Sequence, residues 1–294
     1  MSEFVLSCCS TADLSADHFA ARDIQYVPFH FHLNGKEYDD DLGQSISYPE
    51  FYAAMAAGGE TSTSQVNVRE YLNHFEKFLS EGKDVLHVCL SSGISGTYQS
   101  AVNAARIARE RHPDRRVWVV DSLGASSGYG LLMDRLADWR DLGKDVDWVR
   151  DWAEEHRLEL NHWFFSTDLT FYVKGGRISK AAGIFGGVLN ICPLLNMDAE
   201  GHLVPRSRIR GKKRVIQEIV KRMEQNARDG LDYDGKCYIS HSECYEDARA
   251  VADLVEQRFP KLSGRVEINY VGTTIGSHTG PGTVALFFWG KKRT

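Results

Sequence analysis

The sequence predicts an α/β protein of two domains, an N-terminal parallel-sheet domain over residues 1–160 and a smaller C-terminal α/β domain over 161–294. Three observations predict it. Apolar strand-like runs alternate with amphipathic helical patterns through the first half of the chain. Several of those strands run into short loops rich in Ser, Thr and Gly. A fresh set of strand and helix patterns begins at residue 162, after a helical stretch that ends near residue 159.

The elements read as follows. Residues 4–8 form a strand, with Thr11 or Asp13 placed to cap a helix beginning near Ser15. Residues 26–33 alternate as one strand; Asn34-Gly35 signals a tight turn, and 36–38 return as the second arm of a hairpin. The acidic run 38–41 reads as solvated loop, without the glycine-containing spacing of a calcium loop. A short helix covers 48–57. Thr61-Ser62-Thr63-Ser64-Gln65 is then a hydroxyl cluster at the entrance of an amphipathic helix, whose Tyr71, Leu72, Phe75, Phe78 and Leu79 share a face.

The stretch 84–109 carries the strongest local signal. An apolar strand, 85–90, runs into Ser91-Ser92-Gly93-Ile94-Ser95-Gly96-Thr97, and a helix follows over 98–109. Such a turn aims unpaired backbone N–H groups at one point, and its hydroxyls add donors that suit a carboxylate or phosphate. An ordinary capped turn between strand and helix has the same pattern. The layout recurs with strand 116–121, loop 122–128 and helix 131–142. Loops at the carboxyl ends of parallel strands line one edge, so 61–65, 91–97 and 122–128 are expected at a common mouth. Helix 146–159 closes the first domain.

The second domain opens with strand 162–166 and a short helix, 168–174, stopped by Gly175-Gly176. Arg177-Ile178-Ser179-Lys180 leads to a glycine-bearing apolar helix at 182–189. Strand 191–197, a turn at 198–201 and the segment 202–205 come next. A basic cluster of Arg206, Arg208, Arg210, Lys212, Lys213 and Arg214 precedes helix 215–225. Strand 236–241, helix 247–259, strand 265–271, a long loop 273–283 and strand 284–289 complete the chain.

Composition excludes several classes. The chain of 294 residues is 43% hydrophobic and 26% charged, with a net charge of −5, so no global pull draws it toward nucleic acid or an anionic membrane. The basic cluster lacks the aromatic interleaving of a nucleic-acid surface. No apolar run reaches the length of a membrane span, and the acidic start lacks the basic flank of a signal peptide, so a cytoplasmic chain is expected. The six cysteines show no C-x-x-C spacing and read as reduced core thiols. Nucleophile-elbow, phosphate-loop, dinucleotide and H-E-x-x-H signatures are absent. The enzyme alternative that remains is a Ser/His acyl hydrolase acting on lipid esters through Ser95 and His278.

Five strings occur together across the whole chain: Ser10-Thr11-Ala12-Asp13-Leu14, Thr63-Ser64-Gln65, Ser91 to Ala101, Gly175-Gly176-Arg177-Ile178-Ser179 and Gly276 to Thr283. In this order they resemble the DegV family of bacterial fatty-acid-binding proteins. The resemblance implies two α/β domains with a long-chain fatty acid between them, its tail in the second and its carboxylate on hydroxyl loops of the first. It implies a non-catalytic chain without cofactor or metal, which presents the acyl group to a fatty acid kinase catalytic subunit for acyl phosphate formation in phospholipid metabolism. By motif, Thr63 and Ser95 would hold the carboxylate with Ser64, Ser92 and His278 as neighbours, while Arg177 and one of Arg208 or Arg210 match arginines of the head-group or partner-docking surface. One departure stands out: Cys9 occupies a position where the family usually has Asp.

Overall fold

A computed structural model describes residues 4–179 and 190–294. The glycine-bearing helix expected at 182–189 lies outside the described residues. Mixed α/β structure is present throughout, with a parallel-sheet N-terminal region and a second α/β region.

In the N-terminal region, β1 (Phe4–Cys9), α1 (Ala16–Ala21), β2 (Ile24–Val27), β3 (His30–Leu33), β4 (Lys36–Asp39), α2 (Tyr48–Ala56) and β5 (Thr61–Ser64) come first. Then come α3 (Val68–Leu79), β6 (Asp84–Cys89), α4 (Thr97–Arg111), β7 (Val117–Asp121), α5 (Ser126–Asp141) and α6 (Val146–His156). Strands β2-β1-β6-β7 form a parallel sheet in that order. All six residues of β6 are buried, as expected for a strand covered on both faces.

Four expectations fail here for physical reasons. The single strand at 26–33 is two strands: Pro28 lacks an N–H for a ladder, and the chain leaves the parallel sheet at Val27 to enter an antiparallel sheet of order β4-β3-β5. The cluster 61–65 is thus largely a strand, not a loop of the parallel sheet. Neither Thr11 nor Asp13 caps the first helix; Ser15 does, its Oγ accepting from the His18 N–H at 3.1 Å. The acidic run is not all solvated, because Asp40 is buried and accepts from Ser10 Oγ at 3.1 Å and Thr273 Oγ1 at 2.9 Å. The predicted hairpin turn is present, with Asn34 and Gly35 both at positive φ (53° and 81°) as a two-residue turn between right-twisted strands requires.

The second region contains β8 (Leu160–Phe165), α7 (Thr170–Lys174), β9 (Ile191–Met197), β10 (Leu203–Arg210), α8 (Lys212–Asn226) and β11 (Cys237–His241). It ends with α9 (Tyr245–Arg258), β12 (Val266–Tyr270), α10 (Thr273–Thr279) and β13 (Val284–Trp289). Its sheet has the order β10-β9-β8-β13-β11-β12, antiparallel at every pairing but β11 with β12. The basic cluster begins on β10, an edge strand, where Arg206, Arg208 and Arg210 alternate outward. The long loop expected at 273–283 begins as helix α10. Its Ser, Thr and Gly residues are weak helix formers. The N-terminal region supports it: Tyr52 Oη donates to Val271 O at 2.7 Å, Thr273 Oγ1 donates to Asp40, and Thr61 Oγ1 donates to Ser277 O at 3.3 Å.

Helix α5 joins the two regions. It is buried almost all round and packs against β1 on one side and β8, β11 and β13 on the other. Among the described residues, no helix is long and apolar enough to cross a membrane.

Candidate functional site

Between the two regions lies a cavity with mainly apolar walls, the lining typical of small-molecule sites. One wall is a face of the six-stranded sheet. Alternation along the strands puts His162 and Phe164 of β8, Ser240 of β11, and Ala285 and Phe287 of β13 on it. The opposite wall includes Phe29, Leu90, Ile94, Ala125 and Ile275.

Thr63, Ser95, His278 and Arg177 come together on this cavity. Thr63 faces inward because β5 alternates half-buried and exposed residues, and the same alternation turns Ser64 out to solvent. Ser92 is also exposed; its backbone N–H donates to Asp121 Oδ1 at 3.2 Å. The structure therefore does not bring Ser64 or Ser92 to the cavity wall. Arg208 and Arg210 do not line it either, since β10 directs them outward.

Ser95 is positioned by its loop. Ser91 is buried and donates through Oγ to Gly201 O at 2.9 Å, while its carbonyl accepts from the N–H groups of Ile94 and Ser95. Ser95 Oγ accepts from the Thr97 N–H at 3.3 Å, which leaves the serine hydrogen available to a ligand. Arg177 follows the α7 terminus, where Gly176 takes φ of 74°. A side chain on Gly175 would collide with His278 Nδ1.

The hydrogen-bond directions follow from donor capacity. Arg177 Nη1 donates to Gly175 O at 2.6 Å and lies 3.3 Å from His278 Nδ1; Nε donates to Ile94 O at 3.2 Å. A guanidinium only donates, so His278 Nδ1 is an acceptor and its proton resides on Nε2. Nε2 then donates to Thr63 Oγ1 at 2.7 Å, and the Thr63 hydrogen is free to point onward. Burial, aided by the Arg177 charge, pushes the His278 pKa down to about 4.

The neutral imidazole has a measurable consequence. Its contribution to stability is complete above the ordinary histidine value of 6.5 and is lost as pH falls toward about 4. The His278 ring resonances are expected to titrate near pH 4 by NMR; a midpoint at 6 or above contradicts a buried imidazole kept neutral beside Arg177.

Below the hydroxyl loop, Cys9 is buried and does not line the cavity. Its Sγ lies 3.1 Å from Tyr71 Oη, which in turn lies 2.6 Å from Thr97 Oγ1. Cys9 is thus linked to the start of α4 through Tyr71. Ser126 lines the cavity from the loop 122–128 expected at its mouth, whereas the wall residues His162 and Ser240 carry no motif in the sequence. A polar side chain within an otherwise apolar strand, as in His162 and Ser240, is the signal that marks them.

The fold is an α/β architecture whose two sheet regions enclose one apolar cavity with hydrogen-bonding groups gathered on its wall. Residues 9–291 match the DegV family, described as an uncharacterised protein family. A DegV domain-containing protein of Clostridium perfringens is 33% identical over 290 residues, covering 99% of this chain and 98% of that protein. The chain belongs to the DegV family. A DegV family protein from Thermus thermophilus, described for its fatty acid binding, superposes with a TM-score of 0.85 at 28% identity, covering 99% of this chain and 100% of that one. A DegV lipid-binding protein from Thermotoga maritima superposes at 0.82 with 25% identity and the same coverage.

Proposed function

We propose that this protein binds a long-chain fatty acid, with its carboxylate on Thr63 and Ser95 and its tail in the apolar cavity. One observation carries the reading: a hydrogen-bond relay from Arg177 through His278 ends at the Thr63 hydroxyl on an apolar cavity wall. Burial of a tail contributes about 0.8 kcal/mol per methylene. A carboxylate taken in with it requires donors, and Thr63 and Ser95 offer two. Arg177 stands behind His278 and supplies positive charge without filling the cavity. The division at residue 160 fits this reading, with the hydroxyl groups drawn from 1–160 and the sheet wall for the tail from 161–294.

The function is binding and presentation, without catalysis by this chain. A Ser/His hydrolase needs a serine hydroxyl on the imidazole and an acid behind it. Here His278 contacts Thr63 and Arg177, a cation in the place of the acid. The consumer of the bound acyl group is a fatty acid kinase catalytic subunit that phosphorylates the carboxylate. Arg208 and Arg210, outward on β10, belong to the docking surface in this scheme and not to the head-group site.

Protein purified without added lipid and then denatured is expected to release a long-chain fatty acid in near-equimolar amount, detected by mass spectrometry. Absence of any acyl chain, together with no uptake of stearic acid by delipidated protein, overturns the proposal.

A further inference from the structure

The cavity contains polar groups that a plain alkyl tail leaves unused. Ser126 opens α5 with φ of 54°, and its Oγ donates to the buried Asp13 Oδ2 at 2.5 Å. The same Oγ lies 3.0 Å from Ser240 Oγ on β11. Ser126 and Ser240 both line the cavity, and Ser240 is fully buried. Each serine has one hydrogen. With the Ser126 hydrogen on Asp13, Ser240 donates to Ser126 and keeps lone pairs without a donor. With a proton on Asp13 donated to Ser126 instead, Ser126 donates to Ser240, and the Ser240 O–H is left over. In either direction Ser240 is the last link, with capacity unmet.

A second, independent observation points the same way. Thr279 is 8% exposed, lines the same cavity, and its Oγ1 has no hydrogen-bond partner. His162 adds no donor to the cavity. Its Nδ1 donates to Leu160 O at 3.1 Å and its Nε2 accepts from the Ala125 N–H at 3.3 Å. Buried hydroxyls with unmet capacity cost stability unless a partner arrives.

We propose that the acyl chain this cavity prefers carries a hydroxyl group along its hydrocarbon part, held by Ser240. An alcohol both donates and accepts, so it satisfies Ser240 in either direction of the Asp13–Ser126–Ser240 chain. A ketone only accepts and serves one direction. The proposal rests on the fatty-acid reading of the same site, and it has the opposite sign from an all-apolar tunnel. There, a buried hydroxyl loses its water partners and gains nothing, so a hydroxy fatty acid binds more weakly than its parent.

Calorimetry on delipidated full-length protein tests it, with stearic acid against a positional series of hydroxystearic acids. At least one isomer is expected to bind roughly fivefold more tightly than stearic acid, the increment of one net hydrogen bond. Ser240→Ala is expected to erase that preference, so that no hydroxystearic acid binds more tightly than stearic acid, with an unchanged circular dichroism spectrum and urea midpoint reporting that the variant is folded. Stearic acid binding as tightly as every hydroxystearic acid to the unsubstituted protein overturns the proposal, as does a preference that survives Ser240→Ala. Failure of all these acids to bind instead overturns the fatty-acid reading itself.

Discussion

His278→Ala is expected to weaken binding of a long-chain fatty acid by about 2–4 kcal/mol, roughly 30- to 900-fold in Kd. The imidazole is the middle of a relay, and its loss acts on both neighbours. Thr63 Oγ1 loses the donor at 2.7 Å that orients its own hydrogen toward the cavity. Arg177 Nη1 loses an acceptor at 3.3 Å in a half-buried setting. His278 is also wedged against Gly175, so truncation leaves a void beside the α7 terminus. Titration of delipidated protein with stearic acid checks the value. Ser95→Ala, which removes one donor and disturbs no relay, is expected to cost less, about 1–3 kcal/mol. Affinity within twofold of the original in His278→Ala removes the relay from the head-group assignment.

The largest stability effect is expected at Asp134→Ala, a loss of about 1–3 kcal/mol, the usual consequence of deleting a buried, charged hydrogen-bond acceptor whose partly exposed partners keep other carboxylates. Asp134 sits on α5 and is 2% exposed. Arg22 Nε lies 2.8 Å away, His18 Nε2 3.5 Å, Tyr238 Oη donates at 2.8 Å, and Lys236 Nζ completes the cluster. Burial alone would raise its pKa, but the contacts with His18 and Lys236 outweigh burial and hold the carboxyl well below the usual range. Because His18 lies on α1 and Arg22 directly follows it, while Lys236 and Tyr238 belong to the second region, the cluster ties the two regions together. The urea midpoint should fall sharply in the variant; a shift worth less than about 1 kcal/mol marks the cluster as solvent-screened.

The same cluster sets a pH trend of opposite sign to that of His278. Contacts with Asp134 and then Glu267 raise the His18 pKa to about 9. Its contribution is complete below 6.5 and lost as pH rises through about 9. In Asp134→Ala that alkaline loss should shrink.

Strongly periodic segments were legible in the sequence. The five-residue apolar face of α3, the apolar run of β6 and the Asn34-Gly35 turn need only local rules, and all are present. The gathering of Thr63, Ser95, Arg177 and His278 was legible through motif order, although these residues lie on four different segments. What escaped depends on tertiary partners. Helix α10 has poor intrinsic propensity and borrows support from Tyr52, Asp40 and Thr61. Asp40 reads as solvated until Ser10 and Thr273 are seen to enclose it. Ser64 reads as equivalent to Thr63 until the segment is known to be a strand, where neighbours face opposite ways.

The edge strand β10 has a colloidal consequence. Its outer rim is a row of backbone groups on which another chain's strand would naturally add, the first step toward fibres. Arg206, Arg208 and Arg210 project from one face of that strand at every second position, with Pro205 just before them. A second molecule approaching edge to edge brings its own three guanidinium groups against these, and the like charges repel. The protein is thereby guarded from growing by stacking its larger sheet.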